Sequence, residues 1–199
     1  MIAAQHLPGG FTDPVHDSQQ AFRSLIDAMA RPGQVRHIGP ALPGVRLGGA
    51  MARLLLTLAD DETAIWWQHG DAALANWLGF HTGATLAARA DAASFAVLTD
   101  PQQGLVLSDF AVGSTLSPDR STTLMLELPA LEGGPPQVWR GPGIAHLALL
   151  CLPGLPAGFW AQWQANHAGF PQGVDLVFTC GESAMGLPRS TQVQPAQGD

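Results

Sequence analysis

The clearest run of hydrophobic positions lies near the C-terminus, where Val174, Leu176, Phe178 and Cys180 interleave with Asp175, Val177 and Thr179. One face of this segment is wholly apolar and the other is polar only at its ends, which predicts a strand buried on nearly both sides. Gly181-Glu182 supplies turn chemistry, Ala184 to Leu187 can return antiparallel, and Pro188 stops the ladder. The predicted unit is a central hairpin whose open ends bring Asp175 close to the polar exit Arg189-Ser190-Thr191.

Earlier segments supply elements to pack around that hairpin. Asp13-Pro14 reads as an N-cap followed by a first-position proline, opening a helix with Val15, Phe22, Leu25, Ile26 and Met29 on one stripe and Pro32-Gly33 at its end. Asp27 and Arg31 fall one turn apart, with Arg23 on the same solvent-facing side. Gln34 to Ile38 predicts a short strand, Ala50 to Ala59 a helix covered on most sides, and Thr63 to Trp67 a buried strand. Asp71 caps a helix through Leu74, Trp77 and Leu78 that Gly79 ends, leaving Phe80-His81-Thr82-Gly83 as a loop with an imidazole and a hydroxyl.

Ser94 to Leu98 and Ser121 to Leu128 predict further strands, separated by a loop-like stretch from Phe110 to Arg120. Gly133-Gly134-Pro135-Pro136 turns the chain back into Gln137 to Arg140, and Pro156 opens a last helix with Phe159, Trp160, Trp163 and His167 along one side. Past Thr191 the chain is polar and reads as disordered, so residues 1–193 form one domain and 194–199 a tail. Helices and strands interleave, yet several connections are too short for crossovers. The expected fold is a layered α/β domain with a mixed sheet.

Composition narrows the chemistry. A chain of 199 residues buries a core without staples, and Cys151 and Cys180 stand apart in apolar settings, as buried thiols of a reducing compartment. There is no signal-like start and no apolar run of membrane length, which points to the cytoplasm rather than a membrane. A net charge of -7 without a basic cluster argues against nucleic acid. All nine basic residues are Arg, so Lys Schiff-base chemistry, including the pyridoxal phosphate aldimine, and a Walker A loop are excluded.

Gly181-Glu182-Ser183-Ala184-Met185-Gly186 comes near a nucleophile elbow, but it is one residue too long and Leu187-Pro188 cannot continue as the required helix. The seven histidines show no metal-binding spacing. A chain without its own catalytic constellation reads as a subunit.

Four motifs then occur in order: Asp17 to Gly33 (Asp-Ser-Gln-Gln-Ala-Phe-Arg-Ser-Leu-Ile-Asp-Ala-Met-Ala-Arg-Pro-Gly), Leu55 to Thr63 (Leu-Leu-Thr-Leu-Ala-Asp-Asp-Glu-Thr), Phe80-His81-Thr82, and Phe-Pro-x-Gly-x-Asp followed by Pro-Arg-Ser-Thr. Together they resemble the PhnH family, the H subunit of the bacterial carbon-phosphorus lyase system, over residues 12 to 193. Ser190 stands where the family pattern suggests a second Thr, keeping the hydroxyl.

The resemblance implies a three-layer αβα sandwich similar to the large domain of pyridoxal phosphate transferases, but without that cofactor. It also implies work with the G, I and L subunits, transferring the ribose triphosphate of ATP to methylphosphonate with release of adenine. A stable complex with G, I and J, and a homodimer in isolation, are expected on the same ground. ATP or phosphonate calls for multiply donating cations, which makes Arg189 and Arg23 the candidate ligand contacts. His81 and Thr82 are candidate hydrogen-bond donors, and Asp175 is the group expected to position Arg189. The alternative is a non-catalytic scaffold docking other subunits through the Trp160 and Trp163 stripe.

Overall fold

The computed structural model describes residues 9–196. Asp13 caps the first helix, α1 (Pro14–Ala30), accepting the His16 N–H at 3.1 Å while Pro14 fills the first helical position. The chain continues through β1 (Arg36–His37), α2 (Gly49–Leu58), β2 (Ala64–Trp67), α3 (Ala72–Thr82), β3 (Thr85–Leu86), β4 (Phe95–Leu98) and β5 (Thr123–Glu127). Then come β6 (Pro136–Arg140), β7 (Ala148–Cys151), α4 (Phe159–Ala168), β8 (Asp175–Cys180), β9 (Ser183–Leu187) and β10 (Gln192–Pro195).

Seven strands form the main sheet in the order β1-β9-β8-β5-β4-β2-β3. From β3 to β8 neighbours run parallel, while β9 and β1 are antiparallel, so the sheet is mixed as the short connections demand. The hairpin of β8 and β9 pairs from Leu176 opposite Leu187 to Cys180 opposite Ser183. It sits inside the sheet, with β8 between β9 and β5.

Alternation along the strands feeds two cores. Leu176 and Phe178, Leu124 and Leu126, and Ala96 and Leu98 point to one face, whereas Val177, Met125 and Val97 point to the other. The second face is covered by α1, α2 and α3 through Ala21, Leu25, Met51, Leu54, Leu55 and Trp77. Over the first lie α4 and a separate antiparallel sheet of order β10-β6-β7, contributing Phe159, Trp163, Trp139 and Val193. The third layer, expected to be helical, is therefore one helix and a small sheet. Each fully buried Phe or Leu in these cores is worth roughly 1.5–3 kcal/mol.

Several expectations are corrected by packing. On α1 the buried residues are Ala21, Leu25 and Ala28, whereas Val15, Phe22 and Ile26 are 70%, 47% and 51% exposed. Small side chains face the sheet because α1 lies nearly on the backbone of β9: a Cβ at Gly186 would stand 2.7 Å from Ala28 O and 2.8 Å from Met29 Sδ. Gly79 does not end α3, which runs on to Thr82 and is capped by Gly83 in the left-handed region at φ 79°, so Phe80, His81 and Thr82 belong to its last turn.

After the glycine-proline turn, Gln137 to Arg140 lies in β6, the middle strand of the small sheet. The helix expected from Pro156 starts at Phe159, with Trp163 buried and the half-buried Trp160 packed edge-on against Trp139 at 6.0 Å, so most of this stripe belongs to the core. Residues expected in a disordered tail instead make β10, where Gln192 to Pro195 pair with Arg140 to Gln137. Residues 197–199 of that tail and the first eight residues lie outside the described residues.

Replacing Gly186 by Ala should push α1 off β9 and lower stability by roughly 1–3 kcal/mol, read as a lower midpoint in urea unfolding. An unchanged midpoint would mean that α1 does not depend on this close approach.

Candidate functional site

Past β9, Pro188 turns the chain aside and Arg189 folds back over the first residue of β8. Its backbone N–H donates to Asp175 Oδ1 at 2.7 Å, and its Nε–H is shared between both carboxylate oxygens at 3.1 Å each. Nη1 donates to Pro118 O at 2.8 Å and Pro171 O at 3.4 Å, and Nη2 donates to Asp175 Oδ2 and Ser121 Oγ. The two charged side chains are only 13% and 20% exposed. All five guanidinium N–H groups thus have protein acceptors, and an anion reaching Arg189 would have to displace one of them.

The same segment is gripped from α4. His167 Nδ1 donates to Arg189 O at 2.9 Å, which places the ring proton on that nitrogen, and Trp163 Nε1 donates to Thr191 O at 2.9 Å. Asn166 brackets the start of β8 from the same helix, donating to Val174 O at 3.0 Å and accepting its N–H at 2.8 Å.

The remaining expected site residues lie elsewhere. Arg23 is exposed on α1. Thr82 Oγ1 donates to Leu78 O at 2.8 Å and accepts the Ala84 N–H at 3.1 Å, tying off the end of α3. The His81 ring meets Trp77 and Phe80 edge-on at centroid distances of 5.9 and 5.1 Å. The structure joins Asp175 to Arg189 and leaves Arg23, His81 and Thr82 on other elements.

A different group gathers at the opposite edge. The Arg189 cluster lies at the amino ends of the parallel strands, beside Thr123 and Asp175, which pair with one another. At their carboxyl ends, the chain leaves β2 outward to β3, whereas from β4 it goes the other way to β5. Adjacent strands whose connections part in this manner leave a crevice between them. A cavity of about 570 Å³ opens there, lined by Arg46, Trp67, His69, Asp71, Thr99 and Glu127. A second cavity, of about 390 Å³, shares Thr99 and Glu127 from the β5 side.

Two carboxyl groups in this crevice are held by helix starts. Asp71 accepts the N–H groups of Ala73 and Leu74 at 2.8 and 3.2 Å, capping α3. Glu127 Oε1 accepts the Gly48 N–H at 3.1 Å at the start of α2, an approach that needs glycine, since a Cβ on Gly48 would stand 2.4 Å from that oxygen. Burial pushes the Glu127 carboxyl above the usual carboxylate range, and the Gly48 N–H opposes this more weakly. Trp67 Nε1 is buried with no acceptor. Among the described residues no cluster of three or more His, Cys, Asp or Glu is placed to hold a metal ion.

Sequence reasoning missed this crevice because its residues come from four separate stretches with no common spacing. The usable signal was positional: His69, Thr99 and Glu127 each sit at or just past the end of an apolar run that becomes a parallel strand.

Removing Arg189 leaves a largely buried carboxylate unpaired, so Arg189→Ala should cost roughly 3 kcal/mol or more in denaturant unfolding. Arg189→Lys should recover little of it, because an ammonium cannot span the carboxylate, Ser121 and Pro118 together. For Glu127 the raised value means the folded chain holds this proton where the unfolded chain has lost it. Its stability contribution is full below the ordinary carboxylate range and falls as pH rises toward neutrality. The melting temperature of Glu127→Gln should therefore gain on that of the native chain between about pH 4 and pH 7; a constant difference would contradict this.

Comparison with known proteins gives this architecture a family. Residues 9–194 match the family described as "Bacterial phosphonate metabolism protein (PhnH)". A protein of Rhizobium meliloti (strain 1021), "Alpha-D-ribose 1-methylphosphonate 5-triphosphate synthase subunit PhnH", is 40% identical over 194 residues, covering 96% of this chain and 97% of that one. The "Putative C-P lyase subunit protein HtxG" of Stutzerimonas stutzeri is 32% identical over 181 residues, covering 88% and 85%. With similarity running through nearly every element of the fold, the chain belongs to the PhnH family of bacterial phosphonate metabolism proteins.

Proposed function

We propose that the chain is a subunit of an alpha-D-ribose 1-methylphosphonate 5-triphosphate synthase, required with the G, I and L subunits to move the ribose triphosphate of ATP onto methylphosphonate with release of adenine. The observation that carries this reading is end-to-end similarity to the Rhizobium meliloti subunit of that name. The second relative, named as a subunit of the carbon-phosphorus lyase, supports the same pathway. In this reading the chain is inactive alone, needs no cofactor of its own, works in the cytoplasm, and joins the G, I and J subunits in a complex, with a homodimer when isolated. The Arg189 cluster positions the chain rather than the substrate, because its donors are already committed.

One observation favours a second reading, a scaffold without a share in chemistry. Val15, Phe22 and Ile26 leave an apolar ridge on the outer side of α1 that a partner subunit would cover.

Phosphorus NMR of ATP and methylphosphonate with the G, I and L partner subunits, with and without this chain, tests the first reading. The ribosyl phosphonate signal should appear only when the chain is present. Equal product without it would remove the chain from the transfer step.

A further inference from the structure

We infer that the crevice at the carboxyl ends of β2 and β4 is a binding site for a nucleoside polyphosphate. Identifying that nucleotide with ATP rests on the function proposed above; the site itself rests on topology and on the groups that line it. The point where the connections of neighbouring parallel strands diverge is where open α/β sheets have room for a ligand, because no crossover helix covers it. Its volume of about 570 Å³ lies within the roughly 300–1,000 Å³ typical of small-molecule sites.

The lining has three chemical zones that match three parts of such a ligand. Leu47, Leu74 and Val97 with the Trp67 ring make an apolar wall of the kind that receives a base. Between the wall and the rim, the Thr99 hydroxyl, itself exposed, and the second oxygen of the half-buried Glu127 are without a hydrogen-bond partner among the described residues, and both suit sugar hydroxyls. At the rim, Arg46 and His69 are exposed and make no hydrogen bond or ion pair among the described residues. Arg31 and Arg36 hold Asp27, Arg89 holds Asp91, and Arg53 donates to Pro40 O at 2.8 Å, while Arg23, Arg120 and Arg140, whose side chains also make no hydrogen bond among the described residues, do not line this cavity. Arg46 thus faces a cavity with its donors free, as a phosphate chain requires. Asp71 does not oppose this strongly, since its charge is directed at the N–H groups of α3.

The test is an NMR titration of the full-length chain labelled at its indole nitrogens, with the Trp67 signal identified by its loss in Trp67→Phe. ATP should shift that signal saturably, and Arg46→Ala should weaken the effect by about 10-fold or more. Arg140→Ala, on the other face of the molecule, should leave the titration unchanged. Adenosine should bind more weakly than ATP, and inorganic tripolyphosphate should leave the Trp67 signal in place. A Trp67 signal unmoved by ATP up to about 5 mM, a range where even weak specific sites fill, overturns the proposal. An equal shift with tripolyphosphate also overturns it, leaving only an anion site. If the chain is still needed for product in the reconstituted reaction while ATP binding fails here, the crevice assignment falls and the proposed function stands.

Discussion

A guanidinium withdrawn from water is tolerable only when each of its N–H groups finds an acceptor, and Arg189 meets that condition with acceptors drawn from several parts of the chain. Asp175 anchors it to the first residue of the central strand, Ser121 and Pro118 to the approach to β5, and Pro171 to the loop after α4. Because His167 and Trp163 hold the same segment through its carbonyls, the path from the main sheet to the small one has little freedom. The charge pair and these two contacts together set where β10 begins, and β10 in turn pairs with β6.

The closed and open ends of the hairpin serve different purposes. At the open end the Arg189 guanidinium and the Asp175 carboxylate are satisfied by one another and by neighbouring acceptors, which makes a rigid floor. At the closed end, Gly181 O accepts the Ala50 N–H at 2.8 Å, and Glu127 takes the neighbouring Gly48 N–H, so the start of α2 is pinned beside a crevice that keeps spare donors and acceptors. The fold concentrates its strong interactions at one edge and leaves unfilled valence at the other. That division places reactive or binding surface where connecting segments can vary without disturbing the floor.

Much of this was legible in the chain. Val174, Leu176 and Phe178 marked the central strand because burial on both faces demands an unbroken apolar run, and the hairpin turn then dictated that Asp175 and Arg189 meet. The exposed stripe of α1 was misread because periodicity reports which residues are apolar and not how near the partner backbone comes; Gly186 decides that, from the far end of the sequence. β10 was missed because Gln192 to Pro195 owe their strand to Arg140 and its neighbours rather than to their own pattern. The crevice was invisible for a related reason. Its groups are adjacent only after β2, β4 and β5 have been ordered, and the strand order was never available from spacing.

β8 lies inside the main sheet, yet it is synthesised after five of the other six strands, β1 to β5. β8 begins at Asp175 of a 199-residue chain, and it covers the flank of β5 that would otherwise stay bare. While the ribosome is still making it, β2, β4 and β5 can pair, but α1 has no β9 to rest on and the latch arginine does not yet exist. The nascent molecule is thus an unfinished sheet with an open parallel edge, and its closure is deferred until β8 and β9 have been made.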